Sequence, residues 1–188
     1  EMKAKVRREA SPRRVRVARK TRETDVVLTL DLDGQGRSQI ATGVGFLDHM
    51  LTSLAAHARF DLELRCRGDL HVDAHHSVED VGIVLGQALR QALGDKKGLV
   101  RFGHAFCPLD EALTRAVVDL SGRSWLSFSA QFKAQRVGDL PTELVEDFFR
   151  AFSDHARICL HLDVIRGRNA LHMIVGVVER KQTLPILA

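Results

Sequence analysis

Residues 46–66 read FLDHMLTSLAAHARFDLELRC, and residues 143–164 read ELVEDFFRAFSDHARICLHLDV. Each stretch begins with apolar side chains at helical spacing, passes through a His-Ala-Arg triplet, and continues with apolar and polar residues in strict alternation. The triplets are His57-Ala58-Arg59 and His155-Ala156-Arg157; the alternating runs are Phe60–Cys66 and Ile158–Val164. A helix followed by a strand, twice, with the same junction, predicts an internally duplicated chain.

Working outward, Asp25–Leu32 alternates and ends in Asp33-Gly34, followed by Gln35-Gly36-Arg37, which predicts a β-hairpin with Ser38–Thr42 returning. Beyond Gly68-Asp69, a turn signal, Ser77–Leu93 is amphipathic. Ser77 is positioned to open that helix, with Glu79 and Asp80 in its first turn, and Gly94 to close it. The second half offers Ala116–Leu120 and Trp125–Phe132 as strands and, after Gly167-Arg168-Asn169, a last helix-like segment. The predicted class is α+β, a duplicated unit with two sheets, each carrying helices on one face. Residues 15–98 form the first repeat, residues 99–188 the second, and residues 1–14 a basic, mobile arm.

Composition excludes several classes. With 45% hydrophobic and 28% charged residues and 4 prolines in 188, the chain is neither disordered nor fibrous. Its longest apolar stretch, around Val81–Leu89, is far shorter than the ~18–20 residues of a membrane span, and no apolar signal segment follows the basic start. Cys66, Cys107 and Cys159 are odd in number and never form a CxxC pair, which argues against a disulfide framework or a thiolate zinc site. A soluble protein of the reducing cytoplasm is expected. The net charge of +4 hides an asymmetry: residues 1–22 hold ten Lys or Arg against two Glu, so the remainder is acidic by four. That basic block has no interleaved aromatics and reads as a solvated arm, or an edge strand ending in charge, rather than a nucleic-acid site.

The chemistry concentrates in histidine. In DAHHSVED, His75 and Glu79 are four apart and share one face of a helix, a spacing by which two side chains grip one divalent ion. His76 is turned by ~100° and faces elsewhere, so a second metal is geometrically natural. Nitrogen and oxygen donors without cysteine suit Mn, Zn, Fe or Co. Isolated histidines such as His57 and His104 read as surface or core residues.

GFLDHM, GDLHVDAHHSVEDVGIVLGQAL, RFG, LDEAL, DLSGR, GDLPTELVEDFF and LHL follow one another between Gly45 and Leu162, within a likeness that runs from about Val17 to Ile174. In that order and spacing the chain resembles the imidazoleglycerol-phosphate dehydratases, the hydro-lyases of histidine biosynthesis that convert imidazole glycerol phosphate to imidazole acetol phosphate. The resemblance implies a duplicated unit like domain 2 of ribosomal protein S5 and a 24-subunit homo-oligomer of trimers. It also implies two Mn2+ ions per active site, with sites formed between subunits. It makes His75, Glu79, His161 and His172 ligands of one metal, and His49 and His76 ligands of the other. Glu23 takes the place of the acidic residue that handles substrate protons, and Arg101 and Arg123 those of the phosphate-binding arginines. The substrate-binding set so implied is Glu23, His49, His57, His75, Glu79, Arg101 and Arg123. The carbon acid is weak, so the metal-bound imidazole ring must help expel the hydroxyl, with Glu23 shuttling the proton.

The ending departs from the family pattern Asn-x-His-His-x-x-Glu. Here Asn169-Ala170-Leu171-His172-Met173-Ile174-Val175 puts Leu171 and Val175 where His and Glu would stand, and Glu179 replaces a phosphate-contacting Lys. A shifted reading frame, a shortened chain or divergence would each give this ending. Neither Leu nor Val donates an electron pair, so one tightly held metal per subunit and reduced turnover are expected. A catalytically silent metal-binding or assembly subunit is the alternative.

Overall fold

The strand Thr24–Asp31 (β2) buries Thr24, Val26, Leu28 and Leu30 on one face, as its alternation dictates. The computed structural model describes residues 13–178. β1 (Arg14–Lys20) and β4 (Asp61–Gly68) flank β2, both antiparallel, with Leu28 opposite Val17 on one side and Leu64 on the other. β3 (Ser38–Ala41) completes the first sheet by running parallel to β4, giving the order β1-β2-β4-β3. The expected hairpin between β2 and Ser38–Thr42 is therefore not formed. β4, with Leu62, Leu64 and Cys66 buried, takes the central place between them. The connection is tied to its start: the Asp61 carboxylate accepts the amides of Gln35 at 2.8 Å and Arg37 at 2.9 Å.

β1 lies within the basic region. The guanidinium of Arg13 pairs with Asp33 and Arg14 stands opposite Asp31, while residues 1–12, the rest of the expected arm, lie outside the described residues.

The second half repeats the first. β5 (Phe102–Leu109), β6 (Ala112–Asp119), β7 (Trp125–Ser129) and β10 (Cys159–Arg166) form a sheet in the order β5-β6-β10-β7, again with only the last pair parallel. A ribbon of β8 (Arg136–Val137) and β9 (Leu140–Pro141) precedes its helices. The helices are α1 (Gly45–Ala58) and α2 (His75–Leu93) in the first half, and α3 (Leu144–Ala156) and α4 (Ala170–Val178) in the second. The paired His-Ala-Arg triplets mark the two helix ends: Arg59 and Arg157 adopt left-handed backbone at φ 60° and 53°, which stops the helix and launches the strand.

α2 starts two residues earlier than Ser77 suggested. The Asp73 carboxylate accepts the His75 amide at 2.6 Å, whereas Ser77 is fully buried against Gly68 and caps nothing. Asp80 likewise serves no exposed first turn. It is buried and accepts from the Arg19 guanidinium at 2.9 Å and from the Thr24 hydroxyl. α1 has no cap from its own chain neighbourhood. Asp139, between β8 and β9, accepts the amides of Gly45 at 2.5 Å and Phe46 at 2.9 Å and so ties the halves together.

The halves meet where α2 crosses α3. A Cβ on Gly82 would lie 2.7 Å from the Phe148 carbonyl oxygen, and one on Gly86 would lie 2.5 Å from that of Phe152. One apolar cluster, from Val17 to Val178, runs through both halves.

Replacing Gly86 with Ala is expected to lower unfolding free energy by about 1–3 kcal/mol, as for other overpacked sites. This loss exceeds the gain of ~1 kcal/mol in helix propensity. A urea midpoint at or above that of the unmodified chain would show the crossing to be loose. Asp139→Ala tests the long-range cap. Two amides outweigh partial burial and hold the Asp139 carboxyl below its ordinary pKa, so its contribution is full above that value and is lost as pH falls through the lowered one. The cost is expected to be about 1 kcal/mol at neutral pH, vanishing in strong acid, measured by denaturation at several pH values.

Candidate metal and substrate site

The first turn of α2 brings His75 between two carboxylates. Its Nε2 lies 3.9 Å from Glu79 one turn further along, and its Nδ1 lies 3.9 Å from Asp147 on the first turn of α3. All three side chains are about half exposed. The i,i+4 pairing expected of His75 and Glu79 is thus realised. Asp147 was not foreseen: its place in ELVEDFF marks it as polar, and only the α2–α3 crossing aims it at His75.

His76 turns away, its ring edge-on to that of His75. Its Nδ1 faces both Asp69 oxygens at 3.1 and 3.2 Å. That hydrogen bond raises the His76 pKa against partial burial, and the negative charges of Glu23 and Asp80 act in the same direction. Glu23 sits in the β1–β2 turn, its amide bonded to the Thr21 hydroxyl at 3.1 Å, so the expected proton-handling carboxylate belongs to the neighbourhood of His76.

The start of α4 repeats that of α2. Asn169 accepts the Leu171 amide at 2.9 Å as Asp73 accepts that of His75, which matches His75 with Leu171, His76 with His172, and Glu79 with Val175. His172 Nδ1 lies 2.8 Å from Glu111, and its Nε2 lies 3.7 Å from Asp110. Glu111, in the β5–β6 turn, also accepts the amides of Arg168 at 3.1 Å and Asn169 at 2.8 Å. His172 first, then these amides, hold its carboxyl at about 2. Leu171 is 40% exposed, but Val175 is buried in the core at 6%. Glu179 lies outside the described residues.

The remaining expected residues are elsewhere. His161 lies on the open face of the second sheet, opposite Val117 and 3.5 Å from the Cys159 sulfur. His49 is exposed on α1 with its ring 6.4 Å from Phe46. His57 is half-buried near the end of the same helix, among Leu54, Ala58 and Phe60 at the wall of an apolar cavity of about 160 Å³. Arg101 grips Asp119 through Nε at 2.6 Å and Nη2 at 3.0 Å, with its guanidinium 4.8 Å above the Phe102 ring. Arg123, in the turn after β6, adds its charge to Arg101 in holding the Asp119 carboxyl low. The two arginines therefore cluster at one end of β6, while Glu111 and His172 occupy the other, about 20 Å away at strand rise.

Within one chain the expected ligands thus separate into groups. His75, Glu79, His161 and His172 do not converge, and among the described residues no three His, Cys, Asp or Glu side chains stand close enough to hold a metal ion. Nor is any described helix long and apolar enough to cross a membrane.

A family model for imidazoleglycerol-phosphate dehydratase matches residues 42–179. The imidazoleglycerol-phosphate dehydratase of Gluconobacter oxydans is 59% identical over 161 residues, covering 86% of this chain and 81% of that protein. That of Acetivibrio thermocellus is 54% identical over 162 residues, covering 86% and 83%. The crystal structure of the Staphylococcus aureus imidazoleglycerol-phosphate dehydratase superposes with a TM-score of 0.81 at 42% identity, over 92% of this chain and 96% of that one. A Pyrococcus furiosus structure gives 0.78 at 30% identity, over 92% of both chains. Two duplicated four-stranded sheets, the His-His-x-x-Glu turn on α2 and these likenesses lead to one conclusion: the chain belongs to the imidazoleglycerol-phosphate dehydratase family, hydro-lyases of histidine biosynthesis.

Proposed function

We propose that the chain eliminates water from imidazole glycerol phosphate to give imidazole acetol phosphate, in the cytoplasm, as an assembly of copies using divalent manganese. The observation that carries this reading is the His75 ring set between Glu79 and Asp147. The donor set fits the metal: imidazole nitrogens and carboxylate oxygens with no thiolate suit a borderline-to-hard divalent ion. Drawn from more than one copy of the chain, His75, Glu79 and Asp147, with His76 and His172, would hold manganese, which when bound supplies Lewis acidity to polarise the substrate's imidazole.

The chain's own residues account for the rest. Glu23 places a carboxylate beside His76, where it can take and return a substrate proton. Arg101 commits two of its N–H donors to Asp119, which orients the guanidinium and leaves others for a phosphate, with Arg123 adding charge at the same end of the sheet. The separation of these groups within one chain supports a site completed by a second copy. The open face of the second sheet supports association, since Phe102, Phe106 and Trp125 are 60%, 56% and 64% exposed. A catalytically silent subunit is not favoured, because the chain keeps Glu23, the His75-His76-x-x-Glu79 turn and both arginines.

Metal analysis of the purified chain, run beside a dehydration assay, tests the proposal. His75→Ala and Asp147→Ala are each expected to weaken Mn2+ binding at least tenfold, and unchanged affinity in both would sink the metal reading. The two departures in α4 are expected to behave differently. Leu171→His, at an exposed position, should raise bound manganese and turnover. Val175→Glu buries a carboxylate in the core and should cost several kcal/mol of stability without adding metal, as thermal melts and metal content will show.

A further inference from the structure

His76 and His172 occupy matched places in the two halves, and each presents Nδ1 to a carboxylate. The carboxylates are not matched. Glu111 immediately precedes β6 as Glu23 immediately precedes β2, so the duplicate of Glu111 is Glu23. Asp69 follows β4 directly, and its counterpart after β10 is Gly167. The second half has no side chain at the Asp69 place and uses the residue in the turn before β6. The first half uses Asp69 and leaves Glu23 unneeded for that task. One contact has been rebuilt from non-equivalent residues, which separates it from the local structure of either loop.

An ionised carboxylate only accepts, so in the neutral ring the nitrogen hydrogen-bonded to it carries the proton and the other is left with a bare lone pair. We infer that Asp69 and Glu111 are paired positioning residues that fix His76 and His172 in the Nδ1–H form and leave each Nε2 as a metal donor; Asp110, exposed and 3.7 Å from His172 Nε2, stands beyond hydrogen-bond distance and does not compete with Glu111 at 2.8 Å. The donor role rests on the metal-dependent reading above; the tautomer assignment does not. Carboxylates behind ligating histidines orient the ring and increase its basicity, and their loss typically weakens metal binding 10–100-fold. In the first half the arrangement has a second effect: with Asp69 holding the ring, Glu23 stays available to the substrate.

The test uses the full chain, first metal-free and then with Mn2+ as the only added ligand. Ring 15N NMR of the metal-free protein above the histidine pKa is expected to show both residues bare at Nε2. Asp69→Ala should move His76, and Glu111→Ala should move His172, toward the Nε2–H form that neutral histidine favours in water. Each change should weaken Mn2+ binding 10–100-fold, whereas Asp69→Asn and Glu111→Gln, which keep an acceptor oxygen, should lose only a few-fold. Glu111→Ala also removes two amide contacts at α4, so the Gln variant decides the case if it melts early. Nε2-protonated rings in the unmodified chain overturn the inference, as does undiminished Mn2+ affinity in folded alanine variants. Correct tautomers in an unmodified chain that binds no Mn2+ would instead refute the donor role together with the metal reading, leaving the ring assignment standing.

Discussion

The crossing of α2 over α3 is the constraint on which the rest of the molecule depends. Gly82 and Gly86 bring the helix backbone against the carbonyls of Phe148 and Phe152, closer than any side chain would allow. Each half is a sheet with helices on one face and cannot bury those helices alone. Close crossing lets the two helix layers share one apolar cluster, and it sets Asp147 beside His75. The glycines that join the repeats thereby also position a carboxylate at the first turn of α2.

Much of the fold was legible because alternation and helical spacing are local. β2, β4, β10, α1 and α3 follow from their own residues, and the repeated His-Ala-Arg triplet announced the duplication through a short-range cause, a left-handed arginine ending each helix. Strand pairing was not legible in the same way. Nothing between β2 and β3 says that β4, some twenty residues later, will enter between them; that is decided by which strand has the more continuous buried face. α2 began early because Asp73 outcompeted Ser77, whose hydroxyl proved to be packing material.

The site divides along the same line. His75, His76 and Glu79 could be read because their relation lies within one helical turn. Asp69, Glu111, Asp139 and Asp147 act across loops or between halves, so their spacing carries no signal. Val175 is the most instructive departure: matched with the exposed Glu79, it is buried, so the two helix starts have diverged in packing as well as in donors. Restoring a family residue there would meet a changed environment.

β1 has a consequence for how the chain behaves in a crowded solution. It is the outer strand of the first sheet, and Arg14, Arg16 and Lys20 project from it into solvent. A free strand edge offers unpaired amides and carbonyls that another strand could extend into a fibril. Two such edges would have to come within ~5 Å, inside the screening length of ~8 Å at physiological salt, so their like charges would keep roughly half of their repulsion. The basicity of this edge strand therefore works as a guard against edge-to-edge polymerisation.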